Sequence, residues 1–358
     1  MRISSLAMLA ATALTVAGCT GSPTDSPVNR TTDRVTTATP RTTAAVSNPD
    51  FVFVGPLDDY GQRLSPEDHD RALVNRAVRR IDPCGFIDLQ RVGSQIPDVK
   101  FFTYRYNFDH CVLASSNSSS PRNSAVSLSF TTNISPLPPE GFDVDGIRVS
   151  ANTHSASCNY YMALGLDQLA GAPLPPSVRG ITANLVLLIS TDKAADPTCA
   201  AAKSVATVAA QVRSQGLPNR QTESVPRIPL ADRDPCSLRS KIPGYSNYRV
   251  SVPPNAHGCT FISDTRPDDT IGVIFVPVTL NDSRFQGTTE EIDGVTVHIG
   301  DGMESCTARV EIGDPYQPAY LPSVQPDSAD LQSAAVEVRG KDCDANKRVA
   351  AAVAKSLA

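Results

Sequence analysis

Two runs of four cysteines constrain this chain more than any other feature. The first is Cys84, Cys111, Cys158 and Cys199; the second is Cys236, Cys259, Cys306 and Cys343. Each opens with the same tripeptide, Asp82-Pro83-Cys84 and Asp234-Pro235-Cys236. The middle gap is 47 residues in both runs (158 − 111, 306 − 259). An Asp-Gly pair stands 13 residues before the third cysteine in both, at Asp145-Gly146 and Asp293-Gly294 (158 − 145, 306 − 293). The spacing reads as one domain repeated in tandem. A length of 358 residues agrees, at roughly one domain per 150 residues.

The N-terminus addresses the chain to the outside of a cell. Met1-Arg2 is a basic start, Leu6 to Val16 an apolar core, and Val16-Ala17-Gly18-Cys19 a small-residue cleavage site. This is the layout of a secretory signal, not of a membrane span. The segment resembles a bacterial lipobox. That resemblance implies cleavage after Gly18 and lipid on the thiol of Cys19, which would hold the chain on the outer face of the plasma membrane. Several acyl chains, at ~0.8 kcal/mol per buried CH₂, make a stable anchor. Residues 1–18 are therefore expected to be a signal peptide and 19–49 a tether. The tether is rich in Thr, Ser and Pro and carries almost no large apolar residue, so it cannot offset its ordering entropy. Such a composition suits a plain spacer or an O-glycosylated stalk.

With Cys19 set aside, eight cysteines remain, an even number suited to disulfides in an oxidising compartment. Four cysteines allow three pairings, and spacing alone does not choose among them. We favour first with second and third with fourth in each run, each bridge contributing roughly 3–4 kcal/mol by the chain-entropy argument. Structural zinc needs close pairs such as Cys-x₂-Cys. None occurs, and no metal or cofactor is expected. The net charge of −5 lacks the basic stripe of a nucleic-acid binder.

Local patterns place elements on this frame. Ser65-Pro66-Glu67-Asp68 is a helix start, with Leu73, Val74 and Val78 as its apolar stripe and Arg71, Arg76, Arg79 and Arg80 elsewhere on the helix. The second run has no counterpart to it. Its basic side chains read as a solvated face or as a contact for anionic headgroups. Each Asp-Pro-Cys reads as the start of a short helix. Residues 101–108 alternate with period two, which predicts one strand with Phe102, Tyr104, Tyr106 and Phe108 on a single face. That face reads as core or as the lining of a ligand cleft. Further strands are expected around 126–130, 185–189, 248–252, 271–278, 295–299, 306–312 and 335–338. A helix begins near the fourth cysteine of each run. Its apolar positions are Val205, Val208 and Val212 in the first and Val349, Val353 and Leu357 in the second. The expected fold class is α+β: two homologous domains, 50–216 and 234–358, joined by a linker at 217–233. Each is an antiparallel sheet with a short N-terminal helix and a C-terminal helix packed on it.

Motifs that carry chemistry are missing. There is no Gly-x-Ser-x-Gly elbow, Walker loop, dinucleotide glycine fingerprint or His-Glu-x-x-His. Asp264, Asp268 and Asp269, and Glu290, Glu291 and Asp293, are acidic runs without EF-hand spacing. His110 and His257 stand just before the second cysteine of each run. No catalytic residue is assigned, and the chain is expected not to be an enzyme.

The Asp-Pro-Cys opening, Gly258-Cys259-Thr260 at the second cysteine, a cysteine in a strand and a fourth at a helix start resemble a widespread family of small actinobacterial lipoproteins without assigned function. The resemblance covers about 82–213 and 234–358. His110 departs from it where the second run has Gly258, and only the second run keeps an aromatic after the second cysteine, at Phe261. The resemblance implies an extracytoplasmic α+β domain in an actinobacterial envelope, and brings no activity or cofactor. The expected role is binding an envelope protein, or a cell-wall glycan or lipid. Carriage of an apolar ligand behind the 102–108 face and cell-wall hydrolysis are the alternatives.

Overall fold

The computed structural model describes residues 57, 60, 64–96, 99–115, 124–132, 136–169, 174–223, 226–266, 268–279, 288–301, 306–326 and 331–357. The signal segment, Cys19 and the 19–49 tether lie outside the described residues.

The first module starts with α1 (Pro66–Val78), whose N-cap Ser65 accepts the Asp68 N–H while Pro66 occupies the first turn. A 3₁₀ turn (Cys84–Phe86) and α2 (Leu89–Gln95) follow. The expected single helix is split here because Ile87 is extended and Asp88 caps a new helix through the Arg91 N–H. Next come β1 (Val99–Arg105), β2 (Asn107–Ser115), β3 (Ser124–Thr131), β4 (Gly141–Val144), β5 (Ile147–Asn152) and β6 (Ser157–Ala163). Short helices α3 (Leu166–Leu169) and α4 (Pro176–Ala183) precede β7 (Val186–Asp192) and α5 (Ala200–Gln215).

After α6 (Arg220–Glu223), the second module opens with a 3₁₀ helix (Pro235–Lys241). Its strands are β8 (Tyr248–Ser251), β9 (Gly258–Ser263), β10 (Thr270–Thr279), β11 (Thr288–Ile292), β12 (Val295–Asp301), β13 (Cys306–Tyr316), β14 (Ala319–Tyr320) and β15 (Gln332–Gly340), closed by α7 (Cys343–Leu357).

The two sheets are wired alike. The first runs β1-β2-β3-β7-β6-β5-β4 and the second β8-β9-β10-β15-β13-β12-β11, with neighbours antiparallel. Strand for strand, in chain order, the orders coincide once β14 is set apart. Both Asp-Gly pairs turn a hairpin with positive φ at both residues: 48° and 80° at Asp145 and Gly146, 50° and 78° at Asp293 and Gly294. This is the two-residue turn whose twist matches the strands it joins.

Disulfides join Cys84 to Cys111, Cys158 to Cys199, Cys236 to Cys259 and Cys306 to Cys343. The first of each pair ties the opening 3₁₀ turn to the second strand, and the second ties a strand to the C-terminal helix. Both Asp-Pro-Cys turns close the same way, with Asp82 and Asp234 each accepting the cysteine N–H two residues on at 2.9 Å. The last helix of the first module is capped at a distance: Asp196 accepts the N–H groups of Ala200, Ala201 and Ala202.

The stretch expected to be a linker, 217–233, contributes residues to the core. Leu217, Ile228, Leu230 and Ala231 are buried, and one cluster of buried apolar side chains runs through both modules. Pro218, Pro226 and Pro229 prevent a helical period but not burial: Asp82 N–H donates to Pro218 O at 3.0 Å and Arg220 N–H to Arg80 O at 2.7 Å. Among the described residues both modules belong to one compact unit.

Each module also reaches into the other. From the second, β14 adds a strand to the edge of the first sheet, with Phe101 opposite Tyr320 and their rings 5.0 Å apart. The next residue, Leu321, lies so close over α2 that a Cβ at Gly93 would come within 2.8 Å of it. From the first, one face of α1 docks on residues 252–256. Asp68 accepts the Val252 N–H at 2.7 Å, Arg71 donates to Val252 O at 2.9 Å, Asn75 to Pro253 O at 2.9 Å and Arg79 to Ala256 O at 2.7 Å. Two of the four arginines read as a solvated or headgroup-facing set are therefore spent inside the molecule.

Candidate functional site

The aromatic stretch 101–108 is a hairpin, not one strand. Tyr106 sits between β1 and β2 with φ +66°, a left-handed conformation that a bulky side chain rarely takes. The chain reverses there, pairing Arg105 with Asn107. Period two persists on both arms, and no glycine or proline marks the reversal, so alternation alone reads straight through it.

The reversal separates the four residues expected to share a face. Tyr104 and Phe108 are buried, their rings edge to face at 5.7 Å, and the Tyr104 hydroxyl donates to Asp82 at 2.8 Å. Phe102 packs against the same core. Of the four, Tyr106 alone is largely exposed, with 59% of its surface in solvent. The single apolar face of Phe102, Tyr104, Tyr106 and Phe108 expected from the pattern is thus corrected to three core side chains and one protruding ring.

That ring is held firmly. The Arg105 guanidinium lies 4.8 Å from its centroid, and the His110 ring stacks against it at 5.2 Å and 25°. Among the described residues the His110 Nε2 is buried without a hydrogen-bond partner. Burial, and then the nearby Arg105 charge, push the His110 imidazole down from its ordinary 6.5 to about 4.

The sign of the pH effect follows. Between about pH 4 and 6.5 the unfolded chain holds a proton on residue 110 that the fold refuses, so stability is lost as pH falls through this window. Above it this residue adds no pH dependence. The loss should reach on the order of 3 kcal/mol at the acid end. His110→Asn is expected to flatten that part of a plot of stability against pH, read by urea unfolding at a series of pH values. An unchanged slope would place the acid sensitivity elsewhere.

Behind the tip, the same hairpin meets the second module. Asp109, buried in β2, has its Oδ1 3.1 Å from Nδ1 of His257, whose side chain is fully buried. Asp109 Oδ2 accepts the Ala256 N–H at 3.3 Å. Phe108 packs edge to face on the His257 ring at 5.5 Å. Burial would raise the Asp109 carboxyl, but His257, Arg220 and the Ala256 N–H together hold it below the usual carboxylate range. Asp109 and His257 occupy the same place in their modules, two residues before the second cysteine (111 − 109, 259 − 257).

Arg220 binds the seam together. It is 2% exposed, donates to Arg79 O at 3.1 Å, Ile81 O at 2.9 Å and Phe108 O at 2.7 Å, and covers the Tyr104 ring at 5.2 Å. Thr103 donates to Gln332 across the seam at 2.6 Å. Asp234 takes Arg79 and the Tyr60 hydroxyl, the latter at 2.7 Å. Arg220, Asp109, Tyr60 and Gln332 carried no signal in the sequence; His257 did, by its place beside Cys259.

The acidic runs are used locally. Glu290 pairs with Lys347 at 2.9 Å and Asp269 with Arg266 at 2.8 Å. Among the described residues no group of three or more His, Cys, Asp or Glu is placed to hold a metal ion. No helix among them is long and apolar enough to cross a membrane.

These observations define a class: two similarly built antiparallel-sheet modules, each flanked by N- and C-terminal helices and stabilised by disulfides. No family model, curated protein or solved structure matches the chain.

Proposed function

We propose that this chain is an extracytoplasmic lipoprotein, carried on the outer face of the plasma membrane by lipid on Cys19, that binds another envelope protein through the β1–β2 hairpin tip. The two modules are read as products of tandem duplication, in the manner of the actinobacterial lipoproteins their cysteine frame resembles. The observation that carries the binding reading is Tyr106. A bulky aromatic kept in a left-handed conformation, with more than half of its surface in water, gains little from burial for the strain it carries. Strain of about 1–3 kcal/mol at such a residue is retained where a site needs it. Tyrosine and arginine side by side have the composition of an interface hot spot. A protein partner is favoured over a glycan because Arg105 and His110 lie against the ring, which leaves less bare face for a sugar to stack on.

The test is photocrosslinking in the native envelope from a photoreactive residue at position 106, beside one at exposed Ser323 as a control. One discrete product from 106 and not from 323 is expected. Identical products from both would remove the reading. Tyr106→Asn, which tolerates the left-handed backbone, should leave stability within about 1 kcal/mol and weaken capture at least ~10-fold. Cys19→Ala should release the protein from the membrane fraction.

A further inference from the structure

We propose that Asp109 and His257 form a proton-operated lock between the two modules, closed while both nitrogens of the His257 ring carry hydrogen. The lock stands whether or not the hairpin tip binds a partner.

Nε2 of His257 lies 2.8 Å from the carbonyl oxygen of Ala231, which can only accept. Nδ1 lies 3.1 Å from Asp109 Oδ1, a carboxylate oxygen that also accepts. A neutral imidazole has one N–H and one lone pair. In either neutral tautomer one of these two contacts sets a lone pair against a lone pair, in a site where the His257 side chain is fully enclosed and that of Asp109 nearly so. The doubly protonated ring donates to the Ala231 carbonyl and sets its charge 3.1 Å from the Asp109 carboxylate; Nδ1 and Oδ1 otherwise have no hydrogen-bond partner among the described residues.

The surrounding charges come from each element packed on the pair. Asp109 and, on the outer side, His110 belong to β2. Arg220 comes from α6 and bears on Asp109. Asp232 follows Ala231 in the 3₁₀ turn Pro229–Asp232. Arg79 from α1 donates to Ala256 O, beside the ring, and is itself paired with Asp234. Arg79 is paired with Asp234, and the Asp109 carboxylate faces two cations, the protonated His257 and Arg220.

Three segments far apart in sequence meet at this one ring: β2, the 3₁₀ turn before the second module and the loop before β9. Loss of one proton therefore weakens a junction rather than a single side chain. Asp109 lies three residues from Tyr106 on the same hairpin, so opening the lock would also free the base of the exposed tip.

Nitrogen-15 NMR of the folded protein, observed through long-range couplings to the imidazole carbon-bound protons, counts the hydrogens on the ring. Two N–H groups on His257 at neutral pH are expected. A ring with one bare nitrogen overturns the proposal. Thermal unfolding at a series of pH values from neutral upward gives the second readout. The wild-type midpoint should fall by at least ~5 °C as the ring loses its proton. In Asp109→Asn the amide N–H can donate to a bare Nδ1, so the neutral ring is accommodated and the alkaline fall should vanish. A fall of equal size in Asp109→Asn would also overturn the lock, since a merely structural contact predicts no difference. If that variant does not fold, the nitrogen count on the wild-type ring still decides.

Discussion

Arg220→Met should lose roughly 3–5 kcal/mol of stability and drop the unfolding midpoint by about 10 °C. The side chain is almost wholly enclosed and gives hydrogen bonds to the carbonyls of Arg79, Ile81 and Phe108. Methionine fills much of the volume but supplies no donor, so three buried acceptors are stranded, each costing about 1–3 kcal/mol before relaxation. The Asp109 carboxylate also loses a cation that helps to hold it ionised. Arg220→Lys should recover little, because an ammonium cannot reproduce the planar fork that reaches carbonyls from two segments at once. The chain has no tryptophan, so urea unfolding is best followed by circular dichroism. A loss below about 1 kcal/mol would mean that the seam opens to water without cost.

Asp234→Ala should cost about 3–5 kcal/mol, the second large effect. Its carboxylate is the partner of Arg79, a guanidinium only 5% exposed, and it also takes the Tyr60 hydroxyl and the Cys236 N–H. Removal leaves a buried cation without its counter-charge. The equivalent Asp82 accepts from Tyr104 and Cys84, both in its own module, and Asp82→Ala is expected to cost less, about 1–3 kcal/mol. The contrast is the useful measurement. Equal losses would show that Asp234 closes its local turn and does nothing across the seam. Both variants should still unfold in one transition, because a continuous core and the α1 and β14 exchanges couple the modules.

These two predictions rest on residues the sequence presented as unremarkable. Arg79 sat in a basic set on a helix, and Arg220 in a proline-containing stretch with no period. Whether an arginine meets water or a buried carboxylate depends on what the rest of the chain brings to it. Tyr106 is the converse case. Alternation placed it with Phe102, Tyr104 and Phe108, and one left-handed residue turned it out while its neighbours turned in. No glycine announced the reversal, because the strain is carried by tyrosine itself.

What could be read from the residues alone was local or periodic. Paired cysteine runs, Asp-Pro-Cys turns, Asp-Gly hairpins, period-two strands and helix starts follow from short-range stereochemistry, and the chain repeats them twice. They were enough for two antiparallel α+β modules with disulfides. The seam was decided only in three dimensions: α1 laid on the 252–256 loop, β14 lent to the first sheet, Arg220 drawn under the hairpin, and Asp109 set against His257. Contacts of this kind join residues more than a hundred positions apart, and their energy comes from mutual burial. No window of sequence contains both partners of such a bond.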